Sequence, residues 1–290
     1  MATTAALTEE STSRFVDTPK YRIHYNEAGQ GHPIIMIHGG GPGATGWSNF
    51  NQNIGYLSEK YRVMAMDMPG WGQSSEVLPG QANHPAVLKE MLDSLGIDKA
   101  AFVGNSMGGA ATLGFAVEYP ERVSHIITMG SAPVGGMSGF LPGGGPTEGM
   151  KALFETYQDP SPENFRTLVR VMVYDDSFVT EELLRARSTS ALSNKAHLEN
   201  SVKARKAMAA AGGPPLPNGP TVLMRLTKLD IPALIIHGRD DRTTPLETSL
   251  QITTNLKNSR MLIFNRCGHW AQLEHADEFN RQVDLFISNY

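Results

Sequence analysis

The stretch Gly104-Asn105-Ser106-Met107-Gly108-Gly109 decides the fold. The apolar residues 100–103 lead into it and the small residues 109–116 lead out, which predicts a strand, a tight turn and a helix. In this context G-x-S-x-G is typical of a nucleophile elbow, a turn that exposes a serine at the carboxyl end of a strand. A glycine two residues to either side of the serine removes Cβ clashes from the turn. We therefore predict that Ser106 is a nucleophile.

Composition excludes several classes of protein. The net charge of −4 provides no basic surface for nucleic acid or for a membrane. The single cysteine, Cys267, excludes an intrachain disulfide and is typical of a reducing compartment. The N-terminus lacks the basic and apolar segments of a signal peptide, and no apolar run is long enough to span a bilayer. We expect a cytoplasmic protein with neither nucleic acid nor membrane as a partner.

Apolar runs alternate with helical patterns in both halves of the chain, which predicts an α/β fold with a mostly parallel, twisted sheet flanked by helices. The strands are expected at residues 21–25, 33–37, 63–66, 100–103, 123–129, 233–237 and 261–264. The strand at 21–25 is expected at the sheet edge, and residues 1–16 as a polar arm.

The alternation breaks after Gly130. Residues 131–149 are rich in Gly and Pro, helical segments follow between about 150 and 210, and a second Gly- and Pro-rich cluster occupies 212–217. We expect residues 1–130 and 226–290 to form the core and residues 131–225 an inserted helical lid. An insertion of this kind covers an active site.

A serine nucleophile needs a base, and the base needs an acid that orients it. After an elbow the chain order is Ser, then Asp or Glu, then His. Asp240 and Asp241 both follow the strand at 233–237, and the spacing from Gly238 and to Pro245 favours Asp241. Asp240 is then expected to cap the loop.

The base is expected to be His269, which lies in a loop after the last strand. His237 is placed inside a strand and is expected to pack in the core, and His275 opens the last helix as a surface or capping group. The predicted catalytic residues are therefore Ser106, Asp241 and His269.

Acyl chemistry also needs donors for a developing oxyanion. One is the backbone N–H of Met107, the residue after the nucleophile. His38-Gly39-Gly40-Gly41 follows an earlier strand and matches the HGGG type of loop that supplies the other donor. We assign the second donor to Gly40, with Gly41 as the alternative.

Two other kinds of site, a dinucleotide site and a metal site, have weaker support in the sequence than the triad. Residues 41–46 fit G-x-G-x-x-G and Asp67 lies about 20 residues on, as in a dinucleotide site. However, the match begins several residues after the strand, and Pro42 removes one N–H that would face a phosphate. His269 and His275 are off a common helical face, which disfavours a metal site. We expect neither a cofactor nor a metal.

Arg187 lies on the apolar face of a predicted helix that starts after Thr180, whereas Arg185 does not. A guanidinium that faces inward needs an anion. That anion is either a carboxylate of the lid or the carboxylate of a substrate.

Several sequence motifs together resemble those of the meta-cleavage-product hydrolases of bacterial aromatic and steroid degradation, which have the α/β-hydrolase fold. The resemblance covers residues 11–290. Its strings are His38-Gly39-Gly40-Gly41-Pro42-Gly43-Ala44, Trp47-Ser48-Asn49, the elbow, Cys267-Gly268-His269-Trp270-Ala271-Gln272 and, in the lid, Pro146-Thr147-Glu148-Gly149, Tyr174-Asp175 and Ala196-His197-Leu198-Glu199-Asn200.

The resemblance implies cofactor-free hydrolysis of a carbon–carbon bond in a 2-hydroxy-6-oxo-hexa-2,4-dienoate, giving 2-hydroxypenta-2,4-dienoate and a carboxylic acid. It implies that Arg187 and Asn105 lie near the dienoate carboxylate, and that Gly41, Asn49 and Trp270 line the same pocket. It also implies a homo-oligomer, a dimer or a tetramer. The group on the ketone (alkyl, phenyl or polycyclic) is left open.

Two alternatives remain on the same fold. A carboxylesterase would use the same triad, but a neutral ester needs no inward arginine. A non-enzymatic small-molecule receptor is the other. The segment from Gly72 to Pro85 is also shorter than the resemblance leads us to expect, and the lid entrance from Val134 to Pro146 is unusually rich in glycine.

Overall fold

The computed structural model describes residues 7–77, 82–135, 146–210 and 221–290, with the side chains of residues 208 and 209 left out. The glycine-rich lid entrance at 136–145, the cluster at 212–217 and the residues 78–81 of the shortened loop lie outside the described residues.

The strands of the described residues form one sheet of eight. They are β1 (Ser13–Asp17), β2 (Arg22–Ala28), β3 (Pro33–Ile37), β4 (Arg62–Met66), β5 (Ala100–Asn105), β6 (Val123–Met129), β7 (Ala233–Gly238) and β8 (Ser259–Phe264). Their order is β1-β2-β4-β3-β5-β6-β7-β8. The pairs from β4 to β8 are parallel and β2 is antiparallel to both of its neighbours, so the predicted α/β fold class is confirmed.

Helices flank this sheet, and several of them come between β6 and β7 in the chain. They are α1 (Glu9–Thr12), α2 (Gly46–Leu57), α3 (His84–Ser94), α4 (Met107–Glu118), α5 (Glu148–Gln158), α6 (Pro162–Met172), α7 (Glu181–Ser193), α8 (Lys195–Ala210), α9 (Val222–Leu226), α10 (Leu246–Asn255), α11 (Ala271–Glu274) and α12 (Ala276–Asn289). None of those in the described part of the chain is long and apolar enough to cross a membrane.

Alternate residues of the strands build two cores, one on each face of the sheet. Ile35 and Phe102 belong to the core that includes α3, α4 and α10. Met36 and Val103 belong to the core that includes α2 and α12. Because both faces are covered, the central strands are apolar throughout, which is why they stand out in the sequence as continuous apolar runs.

The helices α5, α6, α7 and α8 share a third apolar cluster, which also includes Trp270 and Leu273 from the carboxyl-terminal part of the chain. The backbone N–H of His269 donates a 2.6 Å hydrogen bond to the carbonyl of Met172, the last residue of α6. The inserted helices are therefore joined to the loop that carries His269.

The prediction for the N-terminal residues was wrong. Residues 9–17 form α1 and β1, so β1 rather than β2 is the edge strand at this side of the sheet. The side-chain amide of Asn26 on β2 donates 2.9 Å hydrogen bonds to the Glu9 carbonyl and the Thr12 hydroxyl and ties this segment down. Because Phe15 on β1 is 41% exposed, the strand has no buried apolar face that periodicity could detect.

Candidate active site

Ser106 sits on a strained turn between β5 and α4, with a φ of 53°. A methyl group on Gly104 would lie 2.2 Å from the carbonyl oxygen of Gly108. A methyl group on Gly108 would lie 2.1 Å from the carbonyl oxygen of Ile37. Both glycines of the motif are therefore required by backbone packing, and the strain at Ser106 is of the kind found at functional sites.

Asp241 and His269 form a buried pair beside this turn. Oδ2 of Asp241 lies 2.7 Å from Nδ1 of His269, and the two side chains are 1% and 3% exposed. An imidazole whose Nδ1–H donates to a carboxylate presents Nε2 as a base. His269 and Ser106 line the same cavity, so the nucleophile and the base predicted from chain order are brought together.

The Asp241 carboxylate is held in its ionised form. Burial by itself would raise its pKa, but the charge and hydrogen bond of His269, the charge of His237 and the N–H of Thr244 hold the pKa below its ordinary value. Oδ1 also accepts hydrogen bonds from the N–H groups of Thr243 and Thr244, at 2.7 and 2.9 Å. The acid is thus both oriented and charged.

The residues set aside as alternatives have structural contacts. His237 is fully buried in β7, where its ring nitrogens lie 2.7 Å from the Ser249 hydroxyl and 3.1 Å from the Thr244 carbonyl. Asp240 accepts a 3.4 Å hydrogen bond from the N–H of Cys267. The ring of His275 contacts the Arg266 carbonyl at 2.9 Å.

Three successive carbonyls of the glycine loop each accept a hydrogen bond from a ring. The carbonyl of Gly39 contacts Nδ1 of His38 at 2.7 Å, that of Gly40 accepts from the Tyr157 hydroxyl at 2.6 Å, and that of Gly41 accepts from Nε1 of Trp71 at 3.1 Å. In a trans peptide the N–H of the next residue points opposite to the carbonyl, so the bond to the Gly39 carbonyl fixes the direction of the Gly40 N–H and the bond to the Gly40 carbonyl fixes that of the Gly41 N–H. The Gly41 carbonyl precedes Pro42, which has no N–H.

The loop lies close to the start of α4. A methyl group on Gly40 would be 3.3 Å from Cβ of Met107, whereas one on Gly41 would meet Leu153 of α5 at 3.7 Å. Met107 is the first residue of α4, so its N–H has no partner within the helix. Gly40 is therefore the neighbour of Met107, and both line the cavity.

The cavity has a volume of about 1000 Å³. Besides Ser106, His269 and the glycine loop, its walls include Asn49, Asn105, Arg187 and Trp270. Apolar side chains of α5 and α6 form much of the remaining wall: Met150, Leu153, Phe154, Phe165, Leu168, Val169 and Met172. The site therefore combines a few polar groups with a large apolar chamber, as a small-molecule site does.

Arg187 is buried in this wall and Arg185 is exposed, as the helical spacing predicts. Nε and Nη2 of Arg187 are buried, and no described residue accepts a hydrogen bond from them. Its Cζ atom lies 5.1 Å from the centre of the Trp270 ring. Burial lowers the pKa of Arg187 to about 10, so the guanidinium remains charged at neutral pH.

The two asparagines of the site use their amide donors within the protein. Nδ2 of Asn105 donates to the carbonyls of Met129 and His269, at 3.3 and 3.2 Å, and leaves Oδ1 without a partner among the described residues. Nδ2 of Asn49 donates to the Thr45 carbonyl at 3.1 Å. A ligand that meets Asn105 in this orientation meets an acceptor rather than a donor.

Four further residues support the site and were missed in the sequence: His38, Trp71, Gly130 and Tyr157. Gly130 has a φ of +49°, and a methyl group on it would lie 2.9 Å from Nδ1 of His269 and 3.1 Å from Oδ2 of Asp241. A glycine directly after a strand was the only signal for it. Across the described residues, no group of three or more His, Cys, Asp or Glu is placed to hold a metal ion.

Comparison with known proteins places this geometry in a family. The family model for the α/β-hydrolase fold matches residues 32–276. A 2-hydroxy-6-oxononadienedioate/2-hydroxy-6-oxononatrienedioate hydrolase of Burkholderia vietnamiensis is 43% identical over 99% of both chains. A 2-hydroxy-6-oxo-6-phenylhexa-2,4-dienoate hydrolase of Burkholderia cepacia is 44% identical over 98% of this chain and 99% of that one.

A solved structure gives the same result. A meta-cleavage product hydrolase of Pseudomonas fluorescens IP01 superposes with a TM-score of 0.81 at 32% identity, covering 95% of this chain and 97% of that one. The chain therefore belongs to the α/β-hydrolase fold family and, within it, to the meta-cleavage product hydrolases.

Proposed function

We propose that this chain hydrolyses a carbon–carbon bond in a 2-hydroxy-6-oxo-hexa-2,4-dienoate, giving 2-hydroxypenta-2,4-dienoate and a carboxylic acid. The observation that carries the proposal is the buried Arg187, whose Nε and Nη2 find no acceptor among the described residues, in the same cavity as Ser106 and His269. A buried guanidinium without an anion is unfavourable, and a substrate carboxylate supplies that anion. The two relatives from Burkholderia are named for substrates of this class.

The chemistry requires a stabilised leaving carbon, because a simple carbanion is a poor leaving group. A proton first moves from the 2-hydroxyl of the substrate to C5, which turns the dienol into a 2-oxo compound. When the C5–C6 bond then breaks, the electron pair on C5 is delocalised through C3–C4 onto the 2-oxo group. Arg187, bound to the C1 carboxylate, holds the substrate in place for both steps.

The triad performs the attack. Oγ of Ser106 adds to C6, its proton passes to Nε2 of His269, and the N–H groups of Gly40 and Met107 stabilise the oxyanion. Bond cleavage leaves an acyl group on Ser106 and a dienolate, which is protonated to 2-hydroxypenta-2,4-dienoate. Water activated by His269 then releases the carboxylic acid, with Asp241 holding the imidazole throughout.

The remaining assignments rest on contacts within the cavity, on the sequence and on family resemblance. Trp270 stacks on Arg187, and Gly41 and Asn49 line the same cavity, so we assign all three to substrate binding. We treat residues 131–225 as the lid over this cavity. The single, buried Cys267 suits a cytoplasmic enzyme, and family resemblance favours a homo-oligomer.

The test is the loss of the yellow colour of a ring-fission dienoate, compared with release of a chromophore from a simple ester. We expect rapid bleaching of the dienoate, abolished in Ser106→Ala. Turnover of the ester alone would make the protein a carboxylesterase. Binding of the dienoate without turnover of either compound would make it a receptor.

A further inference from the structure

A second arginine lines the cavity. Arg205 of α8 is half-buried, with its Cζ atom 4.2 Å from the centre of the Phe154 ring and 4.7 Å from that of Tyr157. Stacking on aromatic rings uses the faces of the guanidinium plane. One donor at its edge interacts with the Tyr157 hydroxyl, and the remaining donors of the five-donor fork can bind another partner.

No carboxylate of the protein is that partner. Within the described ranges, no Asp or Glu lies within ion-pair distance of Arg205. The segments outside the described residues contain no Asp or Glu in the sequence. Moreover, the described lining of the cavity includes neither residue type, so both of its arginines face it without an acid.

Arg205 is separate from Arg187. The two belong to different helices and stack on different rings, Arg187 on Trp270 and Arg205 on Phe154 and Tyr157. Burial lowers the pKa of Arg187. Burial likewise lowers the pKa of Arg205, offset in part by Tyr157. The two cations thus lie on different helices of one cavity, each against its own aromatic partners.

We propose that Arg205 binds a second carboxylate, carried by the group on the ketone, so that the preferred substrate is a 2-hydroxy-6-oxo-dienedioate rather than an aryl ketone. The proposal rests on the proposed function, in which Arg187 binds the dienoate carboxylate. A planar guanidinium matches a carboxylate bidentately, whereas the phenyl group of a phenyl ketone offers no acceptor to the remaining donors. The second product is then a dicarboxylic acid.

The test measures kcat/KM on 2-hydroxy-6-oxononadienedioate and on 2-hydroxy-6-oxo-6-phenylhexa-2,4-dienoate. In Arg205→Met we expect a roughly 10- to 100-fold fall on the dienedioate, chiefly through KM, since a hydrogen-bonded charge contributes about 1.5–3 kcal/mol. The phenyl substrate should be unaffected or improved. Lys206→Met is the matched control, because Lys206 is exposed on the same helix and carries the same charge.

Equal losses on both substrates, or no loss on either, would overturn the role of Arg205. Arg205→Lys keeps the charge but lacks the planar pair of N–H donors, and it replaces the Met variant in this test if that variant does not fold. It should retain part of the preference for the dienedioate. If the wild-type protein bleaches neither dienoate, the proposed function itself fails. If it prefers the phenyl substrate, the proposed function stands and only the role of Arg205 falls.

Discussion

The hydroxyl of Tyr157 on α5 donates a 2.6 Å hydrogen bond to the carbonyl oxygen of Gly40 in the glycine loop. Burial raises the pKa of Tyr157 to about 12, so the hydroxyl keeps its proton over the whole working range of pH. The lid therefore holds the peptide between Gly40 and Gly41, which carries the N–H of Gly41, the alternative oxyanion donor, and directly follows the peptide that carries the N–H of Gly40. A substitution of Tyr157 should therefore change kcat through the glycine loop.

Tyr157→Phe should lower kcat by roughly fivefold, since it removes one hydrogen bond of about 1 kcal/mol that holds the Gly40–Gly41 peptide of the oxyanion loop. The ring that stacks under Arg205 is retained in this variant. Steady-state kinetics on the dienoate measure the effect. Tyr174→Phe is the control, because Tyr174 is 49% exposed. A fall in both variants would mean that the effect does not come from the Gly40 bond.

Gly130→Ala should reduce kcat strongly, because its methyl group would push against the pair of His269 and Asp241. Gly96→Ala is the matched control: Gly96 also has a positive φ, of +64°, but nothing lies within 4 Å of the added methyl. Both variants should lose about 1–2 kcal/mol in free energy of unfolding from the left-handed backbone. Only Gly130→Ala should lose activity. Equal kcat values in the two variants would show that Gly130 does not position the pair of His269 and Asp241.

Local patterns made part of this site predictable. Short stretches of sequence contain the glycines around Ser106 and the loops that carry Asp241 and His269. The helical spacing that places Arg187 on an apolar face is also local. The contact of Tyr157 with Gly40 joins residues 117 positions apart and depends on how the lid packs, which no short motif encodes. Similarly, β1 is held by its backbone pairing with β2 and has no buried apolar face, so no apolar alternation marks it in the sequence.

His125→Gln should make stability less dependent on pH. Burial, with smaller effects of His32 and Lys99, lowers the pKa of His125 to about 4. Between pH 6.5 and 4 the unfolded chain therefore binds a proton that the folded chain does not, and stability falls as the pH falls through this window. The variant should lose up to about 1.4 kcal/mol per pH unit of that slope near pH 5.

Urea unfolding of wild type and His125→Gln at pH 5 and pH 7 measures this difference. Some slope should remain, because burial lowers the pKa of His197 to about 4 as well. Activity at pH 7 should be unchanged, since His125 is not among the described residues that line the cavity. Equal slopes in the two proteins would show that His125 takes up its proton in the folded state as readily as in the unfolded chain.

Arg187→Met should separate stability from activity. The substitution removes a buried charge whose Nε and Nη2 lack acceptors in the described part of the chain, and it keeps an unbranched apolar side chain against Trp270. The free energy of unfolding should therefore stay the same or rise by about 1–3 kcal/mol. On the dienoate, kcat/KM should fall by roughly 100-fold or more, since the carboxylate loses its cation. Arg185→Met, exposed on the same helix, should change neither quantity.

The same variants should be compared on a neutral ester, because a neutral substrate needs no cation at that end of the cavity. We expect Arg187→Met to reduce ester turnover far less than dienoate turnover. No Asp or Glu of the described residues pairs with Arg187, so its removal leaves no acid without a partner, and the free energy of unfolding should not fall. A destabilised variant that lost both activities equally would therefore assign Arg187 to the structure of the lid rather than to the substrate.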